Sequence, residues 1–233
     1  VYYSMGNYNL SYKYHNFALK IRLRQFGKNN VFVAASYNNI GLVFFKQGLF
    51  RKALRFCKIA LKTRQEKVGK KHEDVADSYN NIGQIYYAMG KFVLSSKYLL
   101  KSLHLKKTIL DNNSESIALT FQMLGHVYFR LNKYKDAIKY FERAIPILTT
   151  QIRKKNVYML MLYLGIGDVY YAINDYKNAN KFYYKAFKNQ PAFQVRRLRN
   201  YNKRNLYLYG FYENVPYNRN QKLFNKFFFY YFN

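Results

Sequence analysis

One cysteine, no tryptophan and only 11 acidic residues are found among 233 positions. The lone cysteine, Cys57, cannot close an internal disulfide, which excludes a disulfide-stapled secreted fold and points to a reducing, cytoplasmic setting. No run approaches the roughly 18 uncharged apolar residues of a membrane span, so no transmembrane segment is expected. Against the 11 acids stand 40 Lys and Arg, for a formal net charge of +29. Half of the chain is hydrophobic and 20% is aromatic, with 27 Tyr and 20 Phe. That content supplies a sizeable core and excludes an intrinsically disordered basic chain. Two explanations of the charge stay open. One is a polyanionic partner such as nucleic acid; the other is an AT-rich coding sequence, which enriches Lys, Asn, Tyr, Phe and Ile together.

Self-similarity is strong. Gly41, Gly83, Gly125 and Gly167 follow one another at steps of 42. An aromatic precedes each by four residues (Tyr37, Tyr79, Phe121, Tyr163), and Phe44, Tyr86, Tyr128 or Tyr170 follows by three. Small residues recur at Ala53, Ser95, Ala137 and Ala179, and again at Ala60, Ser102, Ala144 and Ala186. Small residues suit the close crossing of two helices, while aromatic and aliphatic ones fill the space between neighbouring pairs. Gly48, Gly90, Asn132 and Asn174 stand where the left-handed turn that ends a first helix is needed.

This pattern resembles the tetratricopeptide repeat. It implies an all-α, right-handed superhelical solenoid of antiparallel helix pairs. The predicted helices are 8–24, then the pairs 33–47 with 50–67, 73–89 with 91–107, 115–131 with 133–150, and 157–173 with 175–189. Repeats are expected at 31–72, 73–114, 115–156 and 157–192. Residues 1–30 are read as the second half of a further repeat with its linker, because Val1 to Leu19 aligns with Ile85 to Leu103. The chain also lacks an initiator Met, so it is expected to be a fragment.

The 42-residue period exceeds the usual 34 by about two helical turns. With the linker Gly69-Lys70-Lys71-His72-Glu73-Asp74-Val75-Ala76 and the pair Asn80-Asn81, it resembles the kinesin light chain type of repeat. Gly27 to Ala34 is a decayed copy with Asn30 in place of the His; Ser114 stands there later. The tail, residues 193–233, breaks the pattern with a cluster at Arg196, Arg197, Arg199, Lys203 and Arg204 and an aromatic end. A cap, a disordered segment and a mistranslated extension all fit it.

No Gly-rich phosphate loop, paired metal-ligand motif or nucleophile elbow appears. His15, His72, His104 and His126 do not cluster, His72 reads as a loop or capping residue, and Cys57 occupies a core position. The chain is therefore expected to be non-enzymatic, without cofactor, metal or small-molecule substrate. A scaffold remains, binding another protein through a peptide or helix in the concave groove lined by first helices. Asn38, Asn39, Asn80 and Asn81 are the candidates for holding a peptide backbone, since an Asn side chain both donates and accepts. In the resembling family, Asn at such positions holds peptide main chain; plain solvation of the helix face is the alternative. Phe45, Tyr87 and Phe129, with Tyr171, recur at 42-residue steps and fit either a ladder along the groove or helix–helix packing. Lys and Arg are missing from the groove positions Ala35, Leu42, Asp77, Gln84, Leu119, His126, Met161 and Asp168, which disfavours a clamp for carboxylate-ended peptides.

First helices carry Lys46 and Arg130 against Glu73, Asp74, Asp77, Glu115 and Asp168. All remaining cations belong to second helices, linkers and tail. Arg51, Arg55, Lys58 and Lys62 form one stripe, Lys177, Lys181, Lys185 and Lys188 another, and Lys135, Lys139 and Arg143 a third. A solvated outer face accounts for them, as like charges four apart repel mildly. The alternative is a convex face that binds RNA, an anionic membrane or an acidic polymer surface.

Overall fold

The computed structural model describes residues 2–3, 5–150 and 157–187, without the side chains of 157 and 187. The linker 151–156, Lys188 and the tail 193–233 lie outside the described residues. The chain divides into two units, Val1–Ala186 and Phe187–Asn233, and the repeat array lies in the first. Among the described residues there are nine helices: α1 (Tyr8–Phe26), α2 (Val31–Lys46), α3 (Phe50–Val68), α4 (Glu73–Ala88), α5 (Phe92–Ile109), α6 (Glu115–Arg130), α7 (Tyr134–Thr150), α8 (Val157–Ala172) and α9 (Tyr176–Phe187). Each lies within about two residues of its expected span, and the fold is all-α.

The turns inside the pairs have the expected chemistry. Gly48 and Gly90 have φ of 75° and 72°, and Asn132 and Asn174 have φ of 57° and 63°. At each, the next amide bonds back to the first helix, as from Leu49 N to Phe44 O and Lys133 N to Tyr128 O, both at 2.9 Å. Such a bond satisfies a carbonyl that the helix end would orphan. Linker polar residues cap the following helix: Asn30 Oδ1 accepts from Phe32 N at 2.8 Å, and His72 Nδ1 accepts from Asp74 N at 3.1 Å. His72 thus has the capping role expected of it.

The glycine at the centre of each first helix allows its close approach to the second. A Cβ on Gly41 would lie 2.6 Å from Cys57 Sγ, and one on Gly125 would lie 2.5 Å from the Phe141 ring. Gly83 faces Leu99 and Gly167 faces Tyr183 in the same register. The residue sixteen positions after the glycine therefore plugs the pair. Cys57 is one of these plugs; it is buried, and burial pushes its thiol up to about 12, which leaves it inert.

Adjacent repeats are joined by polar staples. Arg22 Nη1 donates to Ser36 Oγ at 2.8 Å and Arg64 Nη1 to Ser78 Oγ at 2.8 Å. Lys106 Nζ lies 3.4 Å from Thr120 Oγ1. Each hydroxyl donates in turn to the carbonyl four residues before it, Phe32, Asp74 or Ser116. One 42-residue step further on, Leu148 and Leu162 occupy the same two positions, both buried in one apolar cluster. A polar pair has become an apolar pair at both ends.

Candidate functional site

Consecutive first helices touch one another, α2 with α4, α4 with α6 and α6 with α8. The first helices are the ones expected to form the inner wall. The candidate asparagines divide there. Asn38 is buried, and its Oδ1 accepts from Asn81 Nδ2 on the next first helix at 3.0 Å. Asn39, Asn80 and Asn81 are half-buried. Two repeats on from Asn38, Gln122 also bonds to the next first helix, here as the donor, to Tyr158 O at 3.3 Å.

The recurring aromatics close the pairs instead of forming an open ladder. Phe45 lies 5.9 Å from Phe50, Tyr87 5.5 Å from Phe92, Phe129 6.1 Å from Tyr134, and Tyr171 5.3 Å from Tyr176. In each case the partner is the first residue of the second helix. Phe45 and Tyr87 are buried and Phe129 is half-buried. Burial pushes the Tyr87 phenol up to about 12, with the Arg130 guanidinium beside it working the other way. The physical reason is position: each ring meets its partner five positions on, across the tight turn, where the two shield one another.

Three polar positions that the sequence places on first helices, Asp77, His126 and Asp168, have partners that it did not single out. Lys106, buried on α5, reaches Asp77 Oδ1 at 3.1 Å. A cation from a second helix thus offsets one of the groove acids. On α8, Asp168 Oδ1 accepts from Tyr183 Oη at 2.8 Å, and desolvation pushes its carboxyl up to about 7. His126 on α6 is buried edge-on to Phe141, at 4.9 Å between centroids, and burial pushes it down to about 3. The signal for Lys106 was its place in the series Arg22, Arg64, Lys106, Leu148, which shares the 42-residue step.

The outer candidates Arg51, Arg55, Lys58, Lys62, Lys177, Lys181 and Lys185 are all exposed. Several second-helix cations sit on rings. Lys101, Arg143 and Lys185 lie 5.7, 5.9 and 5.8 Å from Tyr79, Phe121 and Tyr163, the aromatic four residues before the repeat glycine, and Lys58 lies 5.9 Å from Tyr86. These cations cover apolar surface while keeping their charge in water. Among the described residues no cluster of three or more His, Cys, Asp or Glu has metal-binding geometry, and no helix is long and apolar enough to cross a membrane.

The tetratricopeptide repeat family model matches residues 1–66, 32–108, 74–150 and 116–192, four overlapping windows in the register of the helix pairs. No curated protein matches the chain. Among solved structures, BtubC (BKLC) from P. vanneervenii superposes with a TM-score of 0.69 at 21% identity, covering 85% of this chain and 77% of that one. A putative kinesin light chain from Podosopora anserina with nearly identical TPR-like repeats superposes with a TM-score of 0.64 at 14% identity, covering 87% and 92%. The apo form of RapI gives 0.67 at 14% identity, covering 84% and 54%. At these identities the likeness is one of fold. Turns, glycine crossings and the family match agree, and the chain belongs to the tetratricopeptide repeat family, a class of protein-interaction scaffold.

Proposed function

We propose that the inner wall holds an extended or helical segment of a partner protein, without catalysis. The observation that carries this reading is the row of half-buried amides, Asn39, Asn80 and Asn81, on two adjacent first helices. The Asn38–Asn81 bond ties α2 to α4 and holds the row in register. Each remaining amide offers a donor and an acceptor to a peptide backbone. Phe45 and Tyr87 contribute indirectly, by fixing the helix ends, and Phe129 offers its exposed part. The partner segment needs no acidic terminus, because Lys106 is already engaged by Asp77.

The test is selection of peptides from a random twelve-residue library on the full chain, followed by titration against Asn39→Ala/Asn80→Ala. Two lost hydrogen bonds, each worth about 1 kcal/mol, predict a loss of about tenfold or more in affinity. Asn38 is left intact, since its replacement would also disturb the α2–α4 packing. Unchanged affinity in the double variant would remove the asparagines from the site.

A second reading rests on the exposed stripes Arg51–Arg55–Lys58–Lys62 and Lys177–Lys181–Lys185 of the outer face. A polyanion held there at six to ten phosphates loses about 10³- to 10⁵-fold in affinity between 50 and 200 mM salt. Arg55→Glu/Lys58→Glu/Lys62→Glu abolishes retention of a 20-nucleotide RNA on this reading. An indifferent gel shift dismisses it.

A further inference from the structure

The basic outer face is interrupted on α5. Val93 is 70% exposed, and Leu100, further along the same side of the helix, is 37% exposed. The other repeats place a polar group at both positions. Asn9, Arg51, Lys135 and Lys177 match Val93, and Asn16, Lys58, Glu142 and Tyr184 match Leu100. The opening is not left by an absent element. Both α4 and α6 pack against α5, and the same side is open on α3 and α7 inside the array, where Arg51, Lys58, Lys135 and Glu142 are exposed.

Lys97 lies between Val93 and Leu100, Lys101 follows Leu100, and both are exposed on a helix that carries no carboxylate. The charge continues onto α3. Lys58 Nζ is 5.9 Å from the Tyr86 ring, which is 5.3 Å from Tyr98 of α5, so Tyr86 joins the Arg55–Lys58 stretch to α5. Two features of this patch favour lipid over nucleic acid. Single-stranded nucleic acid stacks its bases on open rings, whereas Phe50, Phe56, Phe92 and Tyr98, the aromatics of α3 and α5, are half-buried. Lys101 also covers Tyr98, at 5.9 Å from its centroid. A bilayer boundary instead takes aliphatic side chains, and the methylene stems of Lys97 and Lys101 extend that surface while their amines stay at headgroup level.

We propose that the α3–α5 part of the outer face docks on an anionic lipid surface. Val93 and Leu100 enter the acyl boundary, and Lys97, Lys101, Arg55 and Lys58 meet the headgroups, where each cation within a Debye length strengthens binding. The proposal rests on the reading of the outer face as a polyanion surface and names its partner. It is independent of the asparagine row.

The test attaches an environment-sensitive fluorophore to the full chain at Val93→Cys; Cys57 is buried, so the parent serves as the labelling blank. Vesicles of phosphatidylcholine with about 30% phosphatidylserine are expected to shift the emission saturably to the blue. Vesicles of phosphatidylcholine alone are expected to leave it unchanged. The same label at Lys135→Cys, the matching position of α7, is expected to keep its aqueous emission. Co-sedimentation then compares unlabelled proteins. Val93→Ser/Leu100→Ser is expected to lose at least about tenfold in partition coefficient, and Arg55→Glu/Lys58→Glu about thirtyfold or more. No retention on anionic vesicles, equal retention on neutral ones, equal response of the two labels, or an unchanged partition for Val93→Ser/Leu100→Ser would each overturn the proposal. The last outcome also appears if another part of the chain does the binding. The RNA gel shift separates the two readings. RNA retained without vesicles overturns lipid docking alone, and retention of neither overturns the outer-face reading as well.

Discussion

The staple between the α3 and α4 repeats makes a sharp test of how neighbouring pairs are held. Arg64 is buried with its Nη1 on Ser78 Oγ at 2.8 Å and on Asp74 O at 3.0 Å, and its Nη2 lies 3.4 Å from Asp74 Oδ1. Among the described residues its Nε has no partner. Ser78→Leu alone removes an acceptor and crowds the guanidinium, and losing a hydrogen bond to a charged group costs about 1.5–3 kcal/mol. The remaining ion pair to Asp74 offsets little of this, because that side chain is 45% exposed and screened by water. Arg64→Leu alone costs less, about 1–2 kcal/mol, since Ser78 keeps its bond to Asp74 O at 2.9 Å. The double variant recreates the Leu148–Leu162 arrangement found two repeats later. Its stability is expected within about 1 kcal/mol of the parent, a coupling of about 2–4 kcal/mol between the two positions. Urea unfolding followed by circular dichroism at 222 nm measures all four proteins, with coincident probes checking cooperativity, which repeat arrays can lose. Additive losses in the double variant would refute the claim that the polar and apolar pairs are interchangeable solutions to one packing problem.

Two further outcomes rest on the same geometry. Gly125→Ala places a Cβ 2.5 Å from the Phe141 ring, so thermal unfolding should report a loss of about 1–3 kcal/mol from overpacking. That loss is expected despite a gain of about 1 kcal/mol in helix propensity. Asp168 is protonated more readily in the folded state, its carboxyl raised from 3.8 to about 7 by desolvation. Between those values the unfolded chain binds fewer protons, so this residue's contribution to stability falls as pH rises and levels off above about 7. Asp168→Asn should remove that component, and identical pH profiles of the urea midpoint in parent and variant would contradict the assignment.

Much of the architecture was legible before any coordinates. Glycine, small and aromatic positions recurring at 42 residues placed the helices, and Gly48, Gly90, Asn132 and Asn174 took the left-handed turn that their chemistry permits. These features are local or strictly periodic, so one dimension holds them. The site was less legible. Asn38 and Asn81 stand 43 positions apart and belong to different registers of the repeat, so their bond had no periodic signature. Phe45 and Tyr87 fitted both an open ladder and a packed turn, because periodicity records equivalence and is silent about direction. Arg64 and Lys106 looked like members of a solvated basic face, yet both are buried.

The sequence alone determined the repeat, its period, the pairing of helices and the separation of a basic set of second helices from slightly acidic first helices. Those properties come from spacing and composition, which survive any choice of packing angle. Only the tertiary structure decided which of the candidate amides is buried, and which cations are engaged by Ser36, Ser78, Thr120 and Asp77. The reason is that burial is a property of neighbours. Arg64 and Lys58 are both cations of α3, and they differ in what lies against them: Arg64 is buried on Ser78, whereas Lys58 stays exposed beside the Tyr86 ring.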